Sequence, residues 1–345
     1  MADLFTTERS RAYEHDLAQA LGMAHSISVS SGTAALHVAL LAADIGGGDE
    51  VLVPALTVPM TIAAVHHAGA APVFVDCDAD GIGLDLDDAA TKLTPRTRAV
   101  LPVHLWGRAL DPGTLRTFAA AHRLLVIEDA CQALGTYTGG QLAGTHGDIS
   151  CFSTKDGKLI WSGEGGFLVT NDDALAAEAR ALTNHYLTPP DGLAPLTRIG
   201  FNYRLAEPLA AYAHANLARF DELLTHRRAQ AALLARLLED VDQLAPLPAP
   251  AGWNGYSALF RLRIEQPRAF CTLLASRGVP NSVGTFHLTA ADQRPALVAR
   301  PAPPCRRAAQ TIDHTLAVVL HDALTDDHLR TQAATIAKEA RAWTP

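Results

Sequence analysis

The chain contains 345 residues, of which 48% are hydrophobic and 19% are charged, with 36 acidic and 28 basic residues for a formal net charge of −8. The length predicts one large domain with a smaller one, and the apolar content excludes an intrinsically disordered chain. An acidic balance argues against a broad nucleic-acid-binding surface, because neutralising phosphates requires clustered Lys and Arg. The basic residues are 24 Arg and only four Lys, at positions 92, 155, 158 and 338.

Targeting, membrane and metal signals are missing from the sequence. No run approaches the 18 or more apolar residues of a membrane span, and Met1-Ala2-Asp3 is not typical of a secretory signal. No two of the five Cys are fewer than 20 residues apart, which fits neither a zinc site nor a disulfide framework. The 15 His show no ligand spacing either. We therefore expect a cytoplasmic protein with no metal, membrane or nucleic-acid partner.

Short apolar runs alternate with helical patterns through the first half of the chain. Helical patterns such as Ala34–Leu41 and Leu115–His122 separate these runs. The predicted strands are Ser26–Ser30, Val51–Val53, Val73–Val75, Ala99–Val103, Leu124–Ile127, Ile149–Phe152 and Phe167–Thr170. This alternation is typical of an α/β fold, and seven runs within about 150 residues predict one mostly parallel sheet.

The pattern changes after residue 200. Glu207–Leu238 is a long helical stretch, and the Pro-rich Leu244–Gly252 predicts a connection between domains. Ala258–Ile264 then alternates like a strand, and Asp326–Trp343 predicts a closing helix. We therefore predict a large domain over residues 1–235 and a small C-terminal α+β domain over residues 236–345.

The first motif is Val29–Leu36 (VSSGTAAL), in which a strand ends in small polar residues and a helix begins at once. The free N–H groups and the positive dipole end of such a helix favour a bound phosphate. The alternative is an ordinary Ser or Thr cap that satisfies the helix itself.

The second motif is Ile127–Gln132 (IEDACQ). Asp129 follows a buried strand directly, at the edge where open α/β sheets bind ligands. Gln132 would face the same crevice if a helical turn begins there. The alternative is that Asp129 only caps that turn.

The third motif is Phe152–Gly166 (FSTKDGKLIWSGEGG), a polar loop that carries Lys155 and Lys158 between two strands. Partial desolvation of a lysine in such a loop would lower its pKa and let the amine attack a carbonyl group. The alternative is a solvated surface lysine. This alternative is weaker in a chain that carries most of its positive charge as Arg.

The fourth motif is Gly200–Arg204 (GFNYR). An amide, a phenol and a guanidinium together suit an anion or a carboxylate, which Arg can bind in a bidentate fork. The alternative is a helix-entry segment that satisfies its own backbone.

Together these segments resemble the DegT/DnrJ/EryC1/StrS family of pyridoxal-phosphate-dependent sugar aminotransferases. The likeness runs from about Ser28 to Arg228, with a weaker echo at Val318–Leu324. The matching stretches, in chain order, are SSGTAALHVAL, GDEVLVPALT, AGAAPVFVDCD, VHLWG, VIEDACQALG, the block from Ser153 through Lys158 to GEGG, TNHY and GFNYRLAEPLAA.

The resemblance implies the fold-type-I aminotransferase architecture and a homodimer whose active sites lie at the subunit interface. Lys158 rather than Lys155 matches the family's Schiff-base lysine, five residues from both Ser153 and Gly163. Asp129 would pair with the pyridinium nitrogen, and Gln132 would contact the side of the ring that carries the phenolic oxygen. The residues implied to hold the phosphate are Thr33, Ala34, Ser153 and, from the partner subunit, Asn202.

The implied cofactor is pyridoxal 5′-phosphate, with pyridoxamine phosphate as the intermediate that carries the amino group. The implied reaction moves that group from Glu or Gln to a keto group of a sugar, a cyclitol or a related small ring, in specialised-metabolite biosynthesis. Two alternatives stay open, namely another pyridoxal-phosphate reaction such as elimination or dehydration, and a non-catalytic cofactor-binding member. Family members that dehydrate sugars have His at the position of Lys158, which argues against that branch.

Three departures from the family pattern concern substrate recognition. The N-terminal segment is expected to be shorter than in relatives, and Val58 occupies a position where relatives often have an aromatic ring. Val279–Leu297 is abbreviated against the family's substrate loop, with His287 as the remnant of its histidine. The candidate substrate contacts are therefore Val58, Arg204 and His287.

Overall fold

The computed structural model describes residues 8–78, 81–187 and 198–344. The strands are β1 (His25–Val29), β2 (Glu50–Pro54), β3 (Ala71–Val75), β4 (Thr97–Val100), β5 (Leu125–Asp129), β6 (Tyr137–Thr138), β7 (Gln141–Leu142), β8 (Ile149–Ser153), β9 (Gly166–Thr170), β10 (Leu244–Pro246), β11 (Ser257–Leu262) and β12 (Thr315–Val319). The helices are α1 (Glu8–Leu21), α2 (Gly32–Ala42), α3 (Pro59–His67), α4 (Leu86–Thr91), α5 (Pro112–His122), α6 (Asp173–Thr183), α7 (Glu207–Leu217), α8 (Phe220–Leu237), α9 (Pro267–Ser276), α10 (Arg306–Asp313) and α11 (Asp326–Arg341).

A seven-stranded sheet forms the centre of the molecule, in the order β1-β9-β8-β5-β4-β2-β3. The strands from β8 to β3 are parallel to their neighbours, and only β9 runs antiparallel, against both β8 and β1. Every residue of β2 and β9 is buried, as expected for a sheet covered on both faces. The predicted mostly parallel sheet is therefore confirmed, and its seven strands are the seven that the apolar runs predict.

Helix α2 is the central helix on one face of this sheet. It packs on β8 and β9 and lies beside α3 and α6, and eight of its eleven residues are buried. Because α2 directly follows β1, its N-terminus lies at the edge of the sheet where β5 and β8 also end.

The predicted single helix Glu207–Leu238 is wrong, because the structure has two helices. Helix α7 ends at Leu217 and α8 begins at Phe220, with a turn at Ala218 and Arg219. No Gly or Pro marks this break, and its cause is packing: α7 packs on α1, whereas α8 packs on β11 and α11. Asn216, buried at the end of α7, also donates its side-chain amide to the carbonyl oxygen of Trp161.

The second half of the chain builds an antiparallel sheet in the order β10-β11-β12, and α8 packs on this sheet and on α11. Its edge strand β10 lies inside the Pro-rich Leu244–Gly252, so that segment is not only a connection as predicted. Pro246 ends the strand, where a missing N–H is tolerated at a sheet edge. The division at residue 235 stays a prediction, and α8 ends two residues beyond it.

No helix in the described ranges is long and apolar enough to cross a membrane. The longest of these helices, α8, has 18 residues and carries charged residues at both ends.

Candidate active site

The first two motifs and the lysine loop meet at one edge of the large sheet. Asp129 ends β5, Ser153 ends the neighbouring β8, and Gly32 begins α2 beside both strands. A Cβ atom added at Gly32 would lie 2.8 Å from Cys131 Sγ and 2.9 Å from Ser153 Cβ, so only glycine permits this approach. Glycine at position 32 therefore lets the start of α2 lie directly against the ends of β5 and β8.

Asp129 is a buried carboxylate with fixed orientation. Its Oδ2 atom accepts a hydrogen bond from Thr61 Oγ1 at 2.7 Å, and its Oδ1 atom accepts one from the Cys131 N–H at 3.1 Å. Thr61 Oγ1 in turn accepts a hydrogen bond from Thr57 Oγ1 at 3.0 Å. Asp129 therefore organises the turn that follows it, as the capping alternative predicts, and also presents a held anion at the sheet edge.

The start of α2 has both an ordinary helix cap and free N–H donors that could bind a phosphate, because the two features use different N–H groups. Ser31 Oγ accepts from the Ala34 N–H at 3.0 Å, which is the ordinary helix cap. Among the described residues, the N–H groups of Gly32 and Thr33 have no hydrogen-bond partner. The positive end of α2 therefore carries two unused donors beside Ser153, and within the part of the chain that the structure describes the hydroxyl of Ser153 accepts only a 3.4 Å bond from the Lys155 N–H.

The structure separates the two lysines of the third motif. Lys155 is exposed, whereas Lys158 is half-buried and its Nζ atom donates to the Tyr256 hydroxyl at 3.0 Å. The loop itself is held from α8, because the buried guanidinium of Arg227 donates to the Gly157 carbonyl oxygen at 3.2 and 3.3 Å. The solvated-lysine alternative therefore describes Lys155 and not Lys158.

The predicted lowering of the lysine pKa is wrong for Lys158. Burial does lower the pKa of this amine, but Tyr256, Cys131 and Asp129 together outweigh burial and raise the pKa above the ordinary lysine value. The amine is therefore a cation beside a phenol and a carboxylate. It must lose a proton before it can attack a carbonyl group.

Gln132 lies in the turn after Asp129. Its Oε1 atom accepts from the Trp106 N–H at 2.7 Å, and its backbone carbonyl accepts from the Asn254 side chain at 2.9 Å. The side-chain oxygen is therefore used inside the protein, and the amide nitrogen is the group left to donate to a ligand.

Asn202 and Arg204 lie beside β1, the outermost strand of the sheet. The chain pairs there with the end of β1, since the Ser30 N–H donates to the Tyr203 carbonyl at 2.7 Å. Arg204 donates to the Asn184 side chain, whereas Asn202 is exposed, and these three residues line a cavity of about 400 Å³. Within the described chain neither Asn202 nor Arg204 hydrogen-bonds to Lys158 or Asp129.

The other two substrate candidates lie on segments that approach each other. Val58 directly precedes α3 and is half-buried, and His287 is exposed with a φ of 51°. The segment after His287 is tied to the end of β2, because the Ala291 N–H donates to the Ala55 carbonyl at 2.8 Å. The segment that contains His287 is thus anchored near Val58.

Four residues that hold the site were not among the sequence candidates. Thr61 binds Asp129, Tyr256 binds Lys158, Arg227 holds the lysine loop and Asn254 holds the turn after Asp129. All but Thr61 come from the second half of the chain, and none belongs to a motif with its own chemistry. Thr61 lies four residues beyond Thr57, where the matching stretch GDEVLVPALT ends, and this proximity is the one sequence signal for any of the four.

The residues fit pyridoxal 5′-phosphate. Two unused N–H groups at the positive end of α2 suit its phosphate, the buried Asp129 carboxylate suits a protonated ring nitrogen, and the Lys158 amine suits its aldehyde. The close approach at Gly32 brings the first of these groups to the other two.

Fold and site together define a pyridoxal-phosphate-dependent aminotransferase scaffold of fold type I. The model of the DegT/DnrJ/EryC1/StrS aminotransferase family matches residues 3–337, and the chain belongs to this family. Members of the family use pyridoxal 5′-phosphate, and the resemblance deduced from the sequence motifs is confirmed.

Relatives with known names include two sugar-modifying enzymes. The chain is 42% identical over 220 residues to a GDP-perosamine synthase of Caulobacter vibrioides. The aligned stretch is 62% of this chain and 58% of that relative, so the chain spans less than two thirds of the relative's length. It is 36% identical over 285 residues to a UDP-N-acetyl-3-dehydro-alpha-D-glucosamine 3-aminotransferase of Acidithiobacillus ferrooxidans, which is 82% of this chain and 76% of the relative. Among solved structures, DesI with its TDP-sugar product superposes with a TM-score of 0.85 at 30% identity, over 97% of this chain and 85% of DesI.

Proposed function

We propose that the protein moves an amino group from glutamate or glutamine to a keto group of a sugar, a cyclitol or a related small ring. The observation that carries the proposal is the half-buried Lys158 amine, which shares one sheet edge with the buried Asp129 carboxylate and the free donors of α2. Relatives named for perosamine and for an amino sugar support a sugar-like acceptor. We assign the reaction to specialised-metabolite biosynthesis.

Each residue of the site has a distinct task in this proposal. Thr33 and Ser153 hold the phosphate, together with the free N–H of Gly32, and Ala34 contributes to the same first turn although its N–H is bonded to Ser31. When bound, pyridoxal phosphate supplies an electron-accepting ring that stabilises the carbon atom from which a proton is removed.

Asp129 and Lys158 carry out the electrostatic and proton-transfer parts of the reaction. The Asp129 carboxylate, oriented by Thr61, keeps the ring nitrogen protonated, and Gln132 donates its amide nitrogen to the ring oxygen. The Lys158 amine would anchor the cofactor and, when free, would take the proton from the donor's Cα and deliver it to the cofactor's C4′ carbon.

We further propose a homodimer in which Asn202 of one subunit reaches the phosphate bound by the other. Three large apolar side chains that are more than half exposed, Met60, Ile199 and Phe286, lie within three residues of Val58, Asn202 and His287, respectively. A second subunit would cover such side chains. Arg204, Val58 and His287 would then line the entrance used by the acceptor.

The half-reaction with an amino donor tests this function. The purified protein should be yellow after incubation with pyridoxal phosphate, and glutamate or glutamine added alone should bleach that colour. Glutamate should then release one 2-oxoglutarate per site, measured by a coupled dehydrogenase assay, because the amino group stays on the cofactor. Both donors must be tried, since an enzyme specific for glutamine would not respond to glutamate.

Two outcomes would overturn the proposal. A protein that takes up no pyridoxal phosphate could not carry out any pyridoxal-phosphate-dependent reaction. A yellow protein that releases no keto acid with either donor, but eliminates water from a sugar substrate, would instead carry out the dehydration alternative.

A further inference from the structure

Tyr256 brings a phenol to the reacting atom of the site. It directly precedes β11, its hydroxyl oxygen lies 3.0 Å from Lys158 Nζ, and Nζ lies 4.9 Å from the centre of its ring. The hydroxyl and the amine are thus in direct contact across 98 residues of sequence. None of the tasks assigned above uses this contact.

The position of Tyr256 is fixed through Asn254. The Tyr256 N–H donates to Asn254 Oδ1 at 3.0 Å, and Asn254 Nδ2 donates to the carbonyl oxygens of Gln132 and Leu134 at 2.9 and 3.0 Å. Asn254 is 1% exposed, so its amide is committed to these bonds. Tyr256 is therefore tied to the turn that follows Asp129.

Helix α8 holds Tyr256 and Lys158 through one residue. Arg227 donates to the carbonyl of Gly157, which precedes Lys158, and its own carbonyl would lie 2.9 Å from a Cβ atom at Gly255, which precedes Tyr256. Gly255 has a φ of 71°, a conformation that favours glycine. The backbones before Lys158 and Tyr256 thus both lie against Arg227, one through its guanidinium and the other in close contact with its carbonyl oxygen.

A phenol suits an amine that changes its charge. As an ammonium ion, Lys158 Nζ has three N–H donors and no acceptor, and the phenolic oxygen can accept from it. As a neutral amine, Nζ has a lone pair, and the phenolic O–H can donate to it. A carboxylate partner can only accept, whereas a hydroxyl can accept from the ammonium ion and can also donate to the lone pair of the neutral amine.

We propose that Tyr256 is a further catalytic residue, which holds Lys158 Nζ in place in both of its protonation states while a proton moves between Nζ and the substrate carbon. The inference rests on the amino transfer proposed above. It adds no group to the reaction balance, because the proton that Nζ would take from the substrate carbon is the one that it would pass on to the cofactor carbon, and the phenol keeps its own.

Tyr256→Phe is the test, with Tyr212→Phe as the matched control. The substitution removes one oxygen atom and keeps the ring, and Tyr212 is exposed on α7. In the loaded enzyme, Tyr256→Phe should lower kcat for the donor half-reaction by about 10- to 100-fold and leave KM within about twofold, since proton transfer and not donor binding is affected. The kinetic isotope effect with a donor deuterated at Cα should rise. Tyr212→Phe should match the wild type in all three.

A second measurement works without the reaction. In cofactor-free protein, brief treatment with acetic anhydride at fixed pH, followed by peptide mass spectrometry, reports how much of Lys158 is a neutral amine. Because Tyr256 raises the pKa of Lys158, Tyr256→Phe should speed its acetylation by about threefold or more relative to Lys155 of the same protein. The Tyr212→Phe ratio should not change.

The outcomes separate the two proposals. Wild-type kcat and isotope effect in a folded Tyr256→Phe protein would overturn the role of Tyr256 while leaving amino transfer intact. Faster Lys158 acetylation in a protein whose wild type releases no keto acid from either donor would keep the contact but overturn both the amino transfer and the catalytic role. An unchanged acetylation ratio would overturn the contact itself.

Discussion

Glu128 and Asp129 are neighbouring acidic residues of β5 that lie on opposite faces of the sheet. Glu128 is fully buried and accepts hydrogen bonds from His104 Nε2 at 2.8 Å, from Ser150 Oγ at 3.0 Å and from three backbone N–H groups. These N–H groups belong to Gly144, His146 and Gly147. Asp129 instead faces Thr61 and the site that contains Lys158. Because successive side chains of a strand point to opposite faces, the Glu128 carboxylate binds structural partners inside the protein, whereas the Asp129 carboxylate lies in the candidate active site.

Glu128 should make the free energy of unfolding fall at acidic pH. Burial alone would raise the pKa of this carboxyl, but the hydrogen bond from His104, the charges of His104 and His146 and the N–H of Gly147 lower it to about 2. Because the pKa of Glu128 is lower in the folded protein, its carboxylate stabilises the fold fully at pH values above the ordinary pKa of 4.5. This stabilisation is lost as the pH falls from 4.5 towards the folded pKa of about 2. The group should thus contribute about 3 kcal/mol at neutral pH.

Urea unfolding of the wild type and Glu128→Gln from pH 7 to pH 3 measures this contribution. The difference in free energy of unfolding should be largest at pH 7 and should shrink below about pH 4.5, since only the wild type has a carboxylate to protonate. Glu239→Gln, at an exposed position after α8, should follow the wild-type pH profile. Parallel profiles for the wild type and Glu128→Gln would contradict this account of the Glu128 pKa.

At the residue scale, sequence prediction works where a side chain follows the end of a strand. Asp129 and Ser153 end β5 and β8, and Lys158 lies in the loop just beyond β8, so local patterns were enough to select them. The partners that orient them are set by tertiary packing. Thr61 lies 68 residues from Asp129 and Tyr256 lies 98 residues from Lys158, and nothing in either local sequence indicates the pairing.

At the element scale, the start of α2 depends on one close approach. A Cβ atom at Gly32 would fall 2.8 Å from Cys131 Sγ and 2.9 Å from Ser153 Cβ, and both neighbours belong to segments fixed by the sheet. The helix would have to move away from the strand ends. The N–H groups of Gly32 and Thr33 would move with it, and they are the donors proposed for the phosphate.

Gly32→Ala should therefore weaken cofactor binding. Overpacking of this kind costs about 1–3 kcal/mol, which would raise the Kd of pyridoxal phosphate by about tenfold or more. An absorbance titration of the cofactor-free protein measures this Kd. Gly47→Ala is the matched control, because a Cβ atom there has no heavy atom within 4 Å, and its Kd should equal that of the wild type. Equal Kd values for Gly32→Ala and the wild type would remove α2 from the phosphate site.

Strands were easier to predict than helix boundaries. The seven strands of the large sheet are short apolar runs, as buried parallel strands must be, so composition reveals them. The break between α7 and α8 lies at Ala218 and Arg219, two residues that favour helix, and it follows from packing on different partners. Strand β10 was hidden by its Pro-rich context, because only the edge position of the strand makes that composition acceptable.

At the scale of the whole molecule, the proposed dimer gives Asn202 a role across the interface. Asn202 is exposed, and within the described residues of its own chain it does not hydrogen-bond to Lys158 or Asp129. A dimer made of one Lys158→Ala subunit and one Asn202→Ala subunit would have one intact site, built from Lys158 of the second and Asn202 of the first. Co-expression with two affinity tags isolates this mixed dimer, which should show about half of the wild-type activity.

The matched control pairs a wild-type subunit with a Lys158→Ala/Asn202→Ala subunit, in which the remaining Lys158 would lack the partner's Asn202. Activity in this control equal to or above that of the mixed dimer would contradict a shared site. A monomeric protein, shown by light scattering after gel filtration, would contradict the dimer itself.

The assignment of Lys158 as the cofactor lysine is tested most directly by borohydride reduction. The protein is loaded with pyridoxal phosphate, reduced, digested and mapped by mass spectrometry, with Lys155→Ala and Lys158→Ala treated in parallel. The phosphopyridoxyl group should be found on Lys158 in the wild type and in Lys155→Ala, and Lys158→Ala should lack it. A label on Lys155, or equal labelling of all four lysines, would contradict the assignment.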